Sequence, residues 1–396
     1  MNILFLTLGH VSKLRGGVDR VTDTLAQNFI NRGGHNVYMI SVWKSVPGDK
    51  VESYQYFLPS QDIDSKENVE YLKNFIVAKH VDVIVNQSDP TKLMNLLVAA
   101  HGNAPMVSVI HTDPKAMLKA TEDAWDRWKL LNGNFKFFIK YPYYLLRLLY
   151  QRKNRKDFLR NKHSYYYEQS DAVVLLSERF KDSFKDISGL SEDSKLYAIS
   201  NPISSEKTEF SEIKEKLILF VGRLEYSPKR LDRLIKVWAK IKDKSGWRLC
   251  VLGDGQKRDL YETLAIKLGV NDVEFCGTVD PTPYYEKAGI LCVTSTYEGF
   301  SMVILEGLYH GVIPIAFDSY EAVFDLIESG YNGFIVPSFS LKEYKKLLER
   351  LMNDDDLRIS MRQNIIEKNS RLEFDVNYIA DQWINLFEKI HDKKNS

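Results

Sequence analysis

"ILCVTSTYEGFSMVILEGLYHG" (290–311) decides how the chain is read. Its opening, Ile290 to Ser295, is an apolar run of strand length. The following "SMVILEGLYHG" has helical spacing, with Ser301 at the N-cap and Gly311 as the stop. A strand that passes through a short loop into a helix is the repeating unit of a parallel α/β sheet. Glu298 falls in the loop at the strand's carboxyl end, and Glu306 in the second turn of the helix. Ligands of open α/β sheets bind in the crevice outside those strand ends. A carboxylate accepts several hydrogen bonds, so two of them there suit a ligand rich in hydroxyls, such as a sugar nucleotide.

Working outward, short apolar runs alternate with amphipathic segments throughout. "NILFLTL" (2–8) precedes a helix from Val18 to about Arg32, with Val18, Val21, Leu25 and Phe29 on one face and Gly33 and Gly34 after it. Further strands are expected at 37–42, 81–85, 106–110, 171–176 and 196–200. After the extended "SNPI" (200–203) a second series begins, at 217–222, 247–253, 273–277, 290–295, 312–317 and 333–337. One sheet holding all of these would be an unusually long open array, and 396 residues exceed a typical single core. Two doubly wound Rossmann-like domains are therefore expected: 1–201, 202–372, and a helical tail, 373–396, returning to the first.

Composition excludes several classes. Hydrophobic content of 44% and charged content of 27% are those of a soluble globular protein, and the net charge of +1 selects no partner. "MNILFLTLG" lacks a basic leader and reads as a first strand. No stretch approaches the ~20 apolar residues that span a bilayer. Cys250, Cys276 and Cys292 lack zinc-ligand spacing and read as separate reduced core residues, which places the protein in the cytoplasm. One segment departs from the average. Residues 125–163 carry eleven Lys or Arg against Asp126 and Asp157, interleaved with aromatics. Such a stretch suits an anionic membrane surface, which would make the protein peripheral at the inner face of the plasma membrane. Its other reading is a solvated helix pair packed on the first domain. No nucleic-acid motif accompanies the charge.

Other strand ends carry loops suited to anions. In "LRGGVDR" (14–20), Gly16 and Gly17 lead into a helix whose N-terminus offers free N–H groups. The fingerprint G-x-G-x-x-G is absent there, which disfavours a nucleotide-dependent oxidoreductase. In "VGRLEYSPKRLDRLI" (221–235), Arg223 and Lys229 flank a loop at a helix start and suit a diphosphate. "VLGDGQKRD" (251–259) adds Gly253 and Gly255, and His111 ends a strand in "VSVIHTDP". The D-x-D strings Asp62–Asp64 and Asp354–Asp356 lie away from the strand ends, so no metal site is expected.

Taken together, the Gly-Gly loop, "GRL…K", "GDG" and above all "EGFSMVILEG" with its flanks resemble the family-four retaining glycosyltransferases of the GT-B fold, over nearly the whole chain. The resemblance implies two such domains facing each other across a cleft. It implies that Glu306 binds ribose hydroxyls and Glu298 the donor sugar, with the backbone of Gly299, Phe300 and Ser301 near sugar and phosphate. Arg223, Lys229 and the Gly17 amide would hold the diphosphate, Val279 would meet the base, and His111 would lie by the donor sugar. The donor would be a UDP-sugar or a GDP-sugar, with no separate cofactor. The acceptor would be a saccharide or a lipid-linked saccharide in capsule, O-antigen or exopolysaccharide assembly. Transfer would proceed with retention, without metal and without a covalent intermediate on Glu298. Where many members have Lys-Gly this chain has Lys229-Arg230, a change expected to alter the loop's shape. A non-catalytic sugar-nucleotide sensor on the same fold is the competing reading.

Overall fold

The computed structural model describes residues 1–12, 16–43, 51–88, 91–120, 135–203, 214–369 and 371–395, with the side chains of 135–145 and 395 outside the description. Seven strands form the first sheet: β1 (Asn2–Gly9), β2 (Asn36–Trp43), β3 (Gln55–Phe57), β4 (Val83–Asn86), β5 (Met106–Ile110), β6 (Ala172–Leu175) and β7 (Leu196–Ala198). Six form the second: β8 (Glu215–Val221), β9 (Arg248–Leu252), β10 (Val273–Gly277), β11 (Ala288–Val293), β12 (Ile313–Phe317) and β13 (Phe334–Val336).

The strand orders are β3-β2-β1-β4-β5-β6-β7 and β10-β9-β8-β11-β12-β13. Every pairing in both sheets is parallel. In each sheet the chain starts inside, winds to one edge, then crosses to the far side of its first strand. The fold class is therefore two doubly wound α/β sheets, with switch points between β1 and β4 and between β8 and β11. Ile3, Leu4, Phe5 and Leu6 are at most 1% exposed, because a parallel strand is covered on both faces. β3, "QYF", was not expected from sequence, because it opens on a polar residue and lies in no continuous apolar run.

The helices are α1 (Gly17–Asn31), α2 (Lys66–Ala78), α3 (Thr91–Ala100), α4 (Phe135–Gln169), α5 (Phe180–Ser188), α6 (Leu231–Trp238), α7 (Arg258–Lys267), α8 (Thr282–Lys287), α9 (Met302–Tyr309), α10 (Val323–Leu326), α11 (Leu341–Asn353), α12 (Asp355–Asn369) and α13 (Val376–Asn395). On α1, Val21, Leu25 and Phe29 are buried while Val18 stays at the rim. The Phe29 ring stacks on Phe5 of β1 at 6.4 Å and meets Phe387 of α13 at 6.2 Å. Arg32 pairs with Asp381 at 2.6 Å, and Asn28 donates to Asn377 at 2.9 Å, so the last helix packs along α1.

Two compact units result. One comprises Met1–Lys115, Lys156–Ser205 and Glu373–Ser396; the other comprises Ala116–Arg155 and Glu206–Leu372. Ala116–Arg155, assigned by sequence to the first domain, groups with the second unit, where Lys119 donates to the Ser319 carbonyl at 2.8 Å.

Candidate functional site

The second unit is best understood from its switch point. The loop after β8 carries Arg223 and Lys229, and the loop after β11 carries Glu298. Lys229 Nζ donates to Glu298 Oε1 at 2.7 Å, joining the two loops across the crevice. Ser295 Oγ donates to the same oxygen at 2.6 Å. Backbone bonds set this geometry: the Thr296 N–H donates to the Pro228 carbonyl at 2.8 Å, and Thr294 Oγ1 to the Lys229 and Arg230 carbonyls at 3.1 and 3.0 Å. Arg223 is exposed, and its side chain makes no hydrogen bond or ion pair among the described residues.

Arg230 shows how the loop tolerates its unusual residue. Its φ of 53° lies in the left-handed region that glycine enters freely. The side chain is turned inward, 2% exposed, with Nε 2.9 Å from Asp232 Oδ1 and the guanidinium 4.7 Å from the Tyr226 ring centre. Asp232 is wholly buried and also receives Lys236 at 2.8 Å. Burial alone would raise its carboxyl, but Arg230 first and Lys236 second pull it below the usual carboxylate range. Arg230 therefore keeps a glycine-like backbone, held by its ion pair.

Two glycines expected in the donor-binding site have a structural reason of their own. A Cβ on Gly253, whose φ is 126°, would lie 2.1 Å from the Gly222 carbonyl oxygen. A Cβ on Gly255 would lie 2.8 Å from Leu224 backbone atoms. The turns after β8 and β9 are thus pressed together, with the Leu224 N–H donating to the Asp254 carbonyl at 2.8 Å.

Glu306 is on α9, and its Oε2 accepts from the Tyr285 hydroxyl at 3.1 Å. Tyr285 is 1% exposed, and its ring stacks on His310 at 5.7 Å. Lys214 fastens this group by donating to the carbonyls of Tyr285, Glu286 and His310 at 2.8, 2.6 and 2.7 Å. Burial brings the Lys214 ammonium down to about 8. Gly299, Phe300 and Ser301 are buried. Ser301 holds the N-cap position of α9, but its hydroxyl makes no cap hydrogen bond. Val279, just past β10, is 40% exposed.

In the first unit, Gly16 is the N-cap of α1 in extended conformation, with nothing within 4 Å of an added Cβ. Among the described residues nothing there requires glycine. Gly17 opens the helix; Leu14 and Arg15 of the same motif lie outside the described residues. His111 follows β5, and its Nε2 is 2.5 Å from Gln87 Oε1 at the end of β4. The amide oxygen only accepts, so Nε2 carries the proton and Nδ1 keeps its lone pair. Nδ1 is buried and has no hydrogen-bond partner among the described residues. Burial lowers the imidazole to about 4, so it is neutral at pH 7.

Gln87 and Tyr285 were missed in the sequence. Gln87 could have been flagged by its place at a strand's carboxyl end; Tyr285, in a six-residue helix, gave no signal. Asp62 and Asp64 both receive Lys92, at 3.0 and 3.3 Å, and Asp354 accepts from the Leu357 N–H at 2.9 Å. Of the basic segment, 125–134 lies outside the described residues, and the remainder belongs to α4. There Leu146, Leu149, Tyr150 and Phe158 are exposed among Arg147, Lys153, Lys156 and Arg160. No helix among the described residues is long and apolar enough to cross a membrane.

Comparison with known proteins follows the two-part architecture. Residues 15–207 match the model described as Glycosyltransferase Family 4, and residues 204–369 the model described as Glycosyl transferases group 1. An uncharacterized glycosyltransferase of Haemophilus influenzae is 30% identical over 220 residues, 54% of this chain and 60% of the relative. The Campylobacter jejuni GalNAc-alpha-(1->4)-GalNAc-alpha-(1->3)-diNAcBac-PP-undecaprenol alpha-1,4-N-acetyl-D-galactosaminyltransferase is 32% identical over 181 residues, 45% of this chain and 49% of the relative. The chain thus spans about half the length of these two relatives. Among solved structures, the pneumococcal O-GlcNAc transferase GtfA in complex with UDP and GlcNAc superposes with a TM-score of 0.72, covering 98% of this chain and 99% of that one at 13% identity. That likeness shows a shared GT-B fold. With the two family models together matching residues 15–369, the chain belongs to the group 1 glycosyltransferases.

Proposed function

We propose that the protein is a retaining glycosyltransferase that moves a hexose or N-acetylhexosamine from a UDP-sugar to a lipid-linked saccharide in surface polysaccharide assembly. The observation that carries this reading is the Lys229–Glu298 pair across the β8/β11 switch point, beside the unengaged Arg223. A cation and a carboxylate fixed together there offer one group for a diphosphate and one for sugar hydroxyls. Glu306, oriented by Tyr285 on the same strand–helix unit, is suited to the ribose diol, and the exposed Val279 to one face of the base. A UDP donor accords with the UDP bound by GtfA, and a lipid-linked acceptor with the name of the Campylobacter relative.

Departure of the nucleoside diphosphate builds negative charge on phosphate oxygen. Lys229 and Arg223 would stabilise it without a metal. Glu298 is already engaged by Lys229 and Ser295, an arrangement better suited to holding hydroxyls than to attacking an anomeric carbon. The acceptor hydroxyl would therefore attack the anomeric carbon on the face the diphosphate leaves, with a phosphate oxygen taking its proton. Neutral His111 would accept a hydroxyl hydrogen bond at Nδ1. The basic, apolar outer side of α4 would hold the enzyme against anionic lipid.

Incubation with labelled UDP- and GDP-sugars tests the donor, and hydrolysis should appear with a UDP-sugar in the presence of EDTA. The anomeric configuration of the transferred sugar, read by NMR, should match the donor. Lys229→Ala should lower turnover by about two orders of magnitude, the effect of removing one stabilising group at a developing oxyanion. Binding of UDP-sugars without turnover would instead identify a sensor. Inversion of the sugar, or a glycosylated Glu298 peptide, would reject the mechanism.

A further inference from the structure

We propose that Cys250 and Cys276 are a reversible dithiol–disulfide site that hydroperoxides oxidise. Sequence spacing left the two as separate core thiols, but the structure sets their sulfurs 2.6 Å apart. The cause is an irregularity in the β9/β10 ladder. Glu274 pairs with Cys250 and Phe275 with Val251, but Gly277 then pairs with Leu252, leaving Cys276 as an extra residue. A bulge re-aims the side chain it carries. Here it turns Cys276 back toward Cys250, on the strand beside it.

The surroundings give the two thiols different parts to play. β10 is an edge strand, and Cys276 is only partly covered, so a small oxidant reaches it first. Cys250 is 1% exposed, and burial followed by the neighbouring Cys276 raises its thiol well above the ordinary range. It is thus the resolving thiol rather than the attacking one. Cys292, on β11, is buried without a second cysteine beside it among the described residues.

In the first step the Cys276 thiolate attacks one oxygen of hydrogen peroxide, the O–O bond breaks, and Cys276 becomes a sulfenic acid as hydroxide leaves. The Cys250 sulfur then attacks the Cys276 sulfur, the S–O bond breaks, and the leaving hydroxide takes the Cys250 proton. Two thiols and one peroxide give one disulfide and two waters. Exchange with a dithiol reductant restores both thiols.

The exposed Glu274 carboxylate lies with the two thiols, so a divalent cation is the rival occupant. Two thiolates on one tetrahedral zinc, each at about 2.3 Å, stand roughly 3.7 Å apart. The observed spacing is tighter and favours sulfur–sulfur bonding. The bond would also tie together the strand ends where the Gly253 N–H donates to the Gly277 carbonyl at 2.7 Å.

The test treats the reduced full-length protein with one equivalent of hydrogen peroxide, blocks remaining thiols, and maps tryptic peptides without reductant. A linked pair of peptides 249–257 and 268–287 is expected, two hydrogens lighter than their sum and separated by dithiothreitol. Titratable thiols in denaturant should fall from three toward one. Cys276→Ser should abolish the linked pair, and Cys292→Ser should leave it unchanged. Cys276 going on to sulfinic acid while Cys250 stays a thiol would overturn the proposal. So would zinc retained through dialysis by the parent but not by Cys276→Ser, with no linked peptides after oxidation.

Discussion

Replacing Arg230 with glycine sets two opposing effects against each other. The left-handed backbone at φ 53° costs a non-glycine residue about 1–2 kcal/mol, which Arg230→Gly would recover. The same change deletes the guanidinium that pairs with Asp232, a carboxylate with no solvent exposure. Removing one partner of a buried pair typically costs about 3–5 kcal/mol. The difference is a net loss of about 1–4 kcal/mol, toward the lower end because Lys236 stays beside Asp232. Urea denaturation followed by tryptophan fluorescence measures it, since Trp238 and Trp247 are buried in this unit. The pH dependence provides a second reading. Asp232 has a depressed folded pKa, so its contribution is present above the unfolded value of 3.8 and lost as pH falls through the folded one. In Arg230→Gly that acid-sensitive contribution should shrink. A variant as stable as the parent at pH 7 would refute the reasoning, because backbone relief would then fully offset the buried pair.

Gly253→Ala should destabilise the second unit by several kcal/mol, since its Cβ would meet a carbonyl oxygen at 2.1 Å, while Gly269→Ala, at φ 70° in open space, should cost only about 1 kcal/mol; urea midpoints of the two variants check the contrast. Glu306→Ala should weaken UDP binding, measured by calorimetry, by one to two orders of magnitude, and Tyr285→Phe by only about fivefold, the worth of one neutral hydrogen bond. His111 has a folded pKa near 4 against 6.5 unfolded, so the unfolded chain binds the extra proton between those values. Stability should therefore fall as pH drops from about 6.5 to 4, and His111→Asn should flatten that slope in thermal melts.

Much of this was legible because buried parallel strands are continuously apolar, so both series of strands stood out in the chain. Glu298 and Glu306 were legible for a related reason: a strand, a short loop and a helix fix where a strand's carboxyl end must lie. Residues whose meaning depends on a distant neighbour were not. Arg230 looked like a change to its loop until Asp232 was seen closed off beneath it. Gly253 and Gly255 read as candidate donor-binding glycines, and the steric reason for them appears only once the turn after β8 is seen pressed against them. Cys276 gave no warning, because a bulge is a property of two strands and its own sequence, "EFCG", reads as ordinary strand.

The Ile203 N–H donates to the Phe374 carbonyl at 2.8 Å, and Ile203 bridges Asp375 in parallel. The excursion that carries the second sheet therefore departs the first unit and re-enters it through adjoining doorways. In topological terms the second sheet is an insert, and the host closes up on either side of it. A protease nick in either connection alone would liberate nothing, because the other still tethers both pieces. A genetic splice of residue 203 onto 374 would need only a short joint to give the host a continuous backbone.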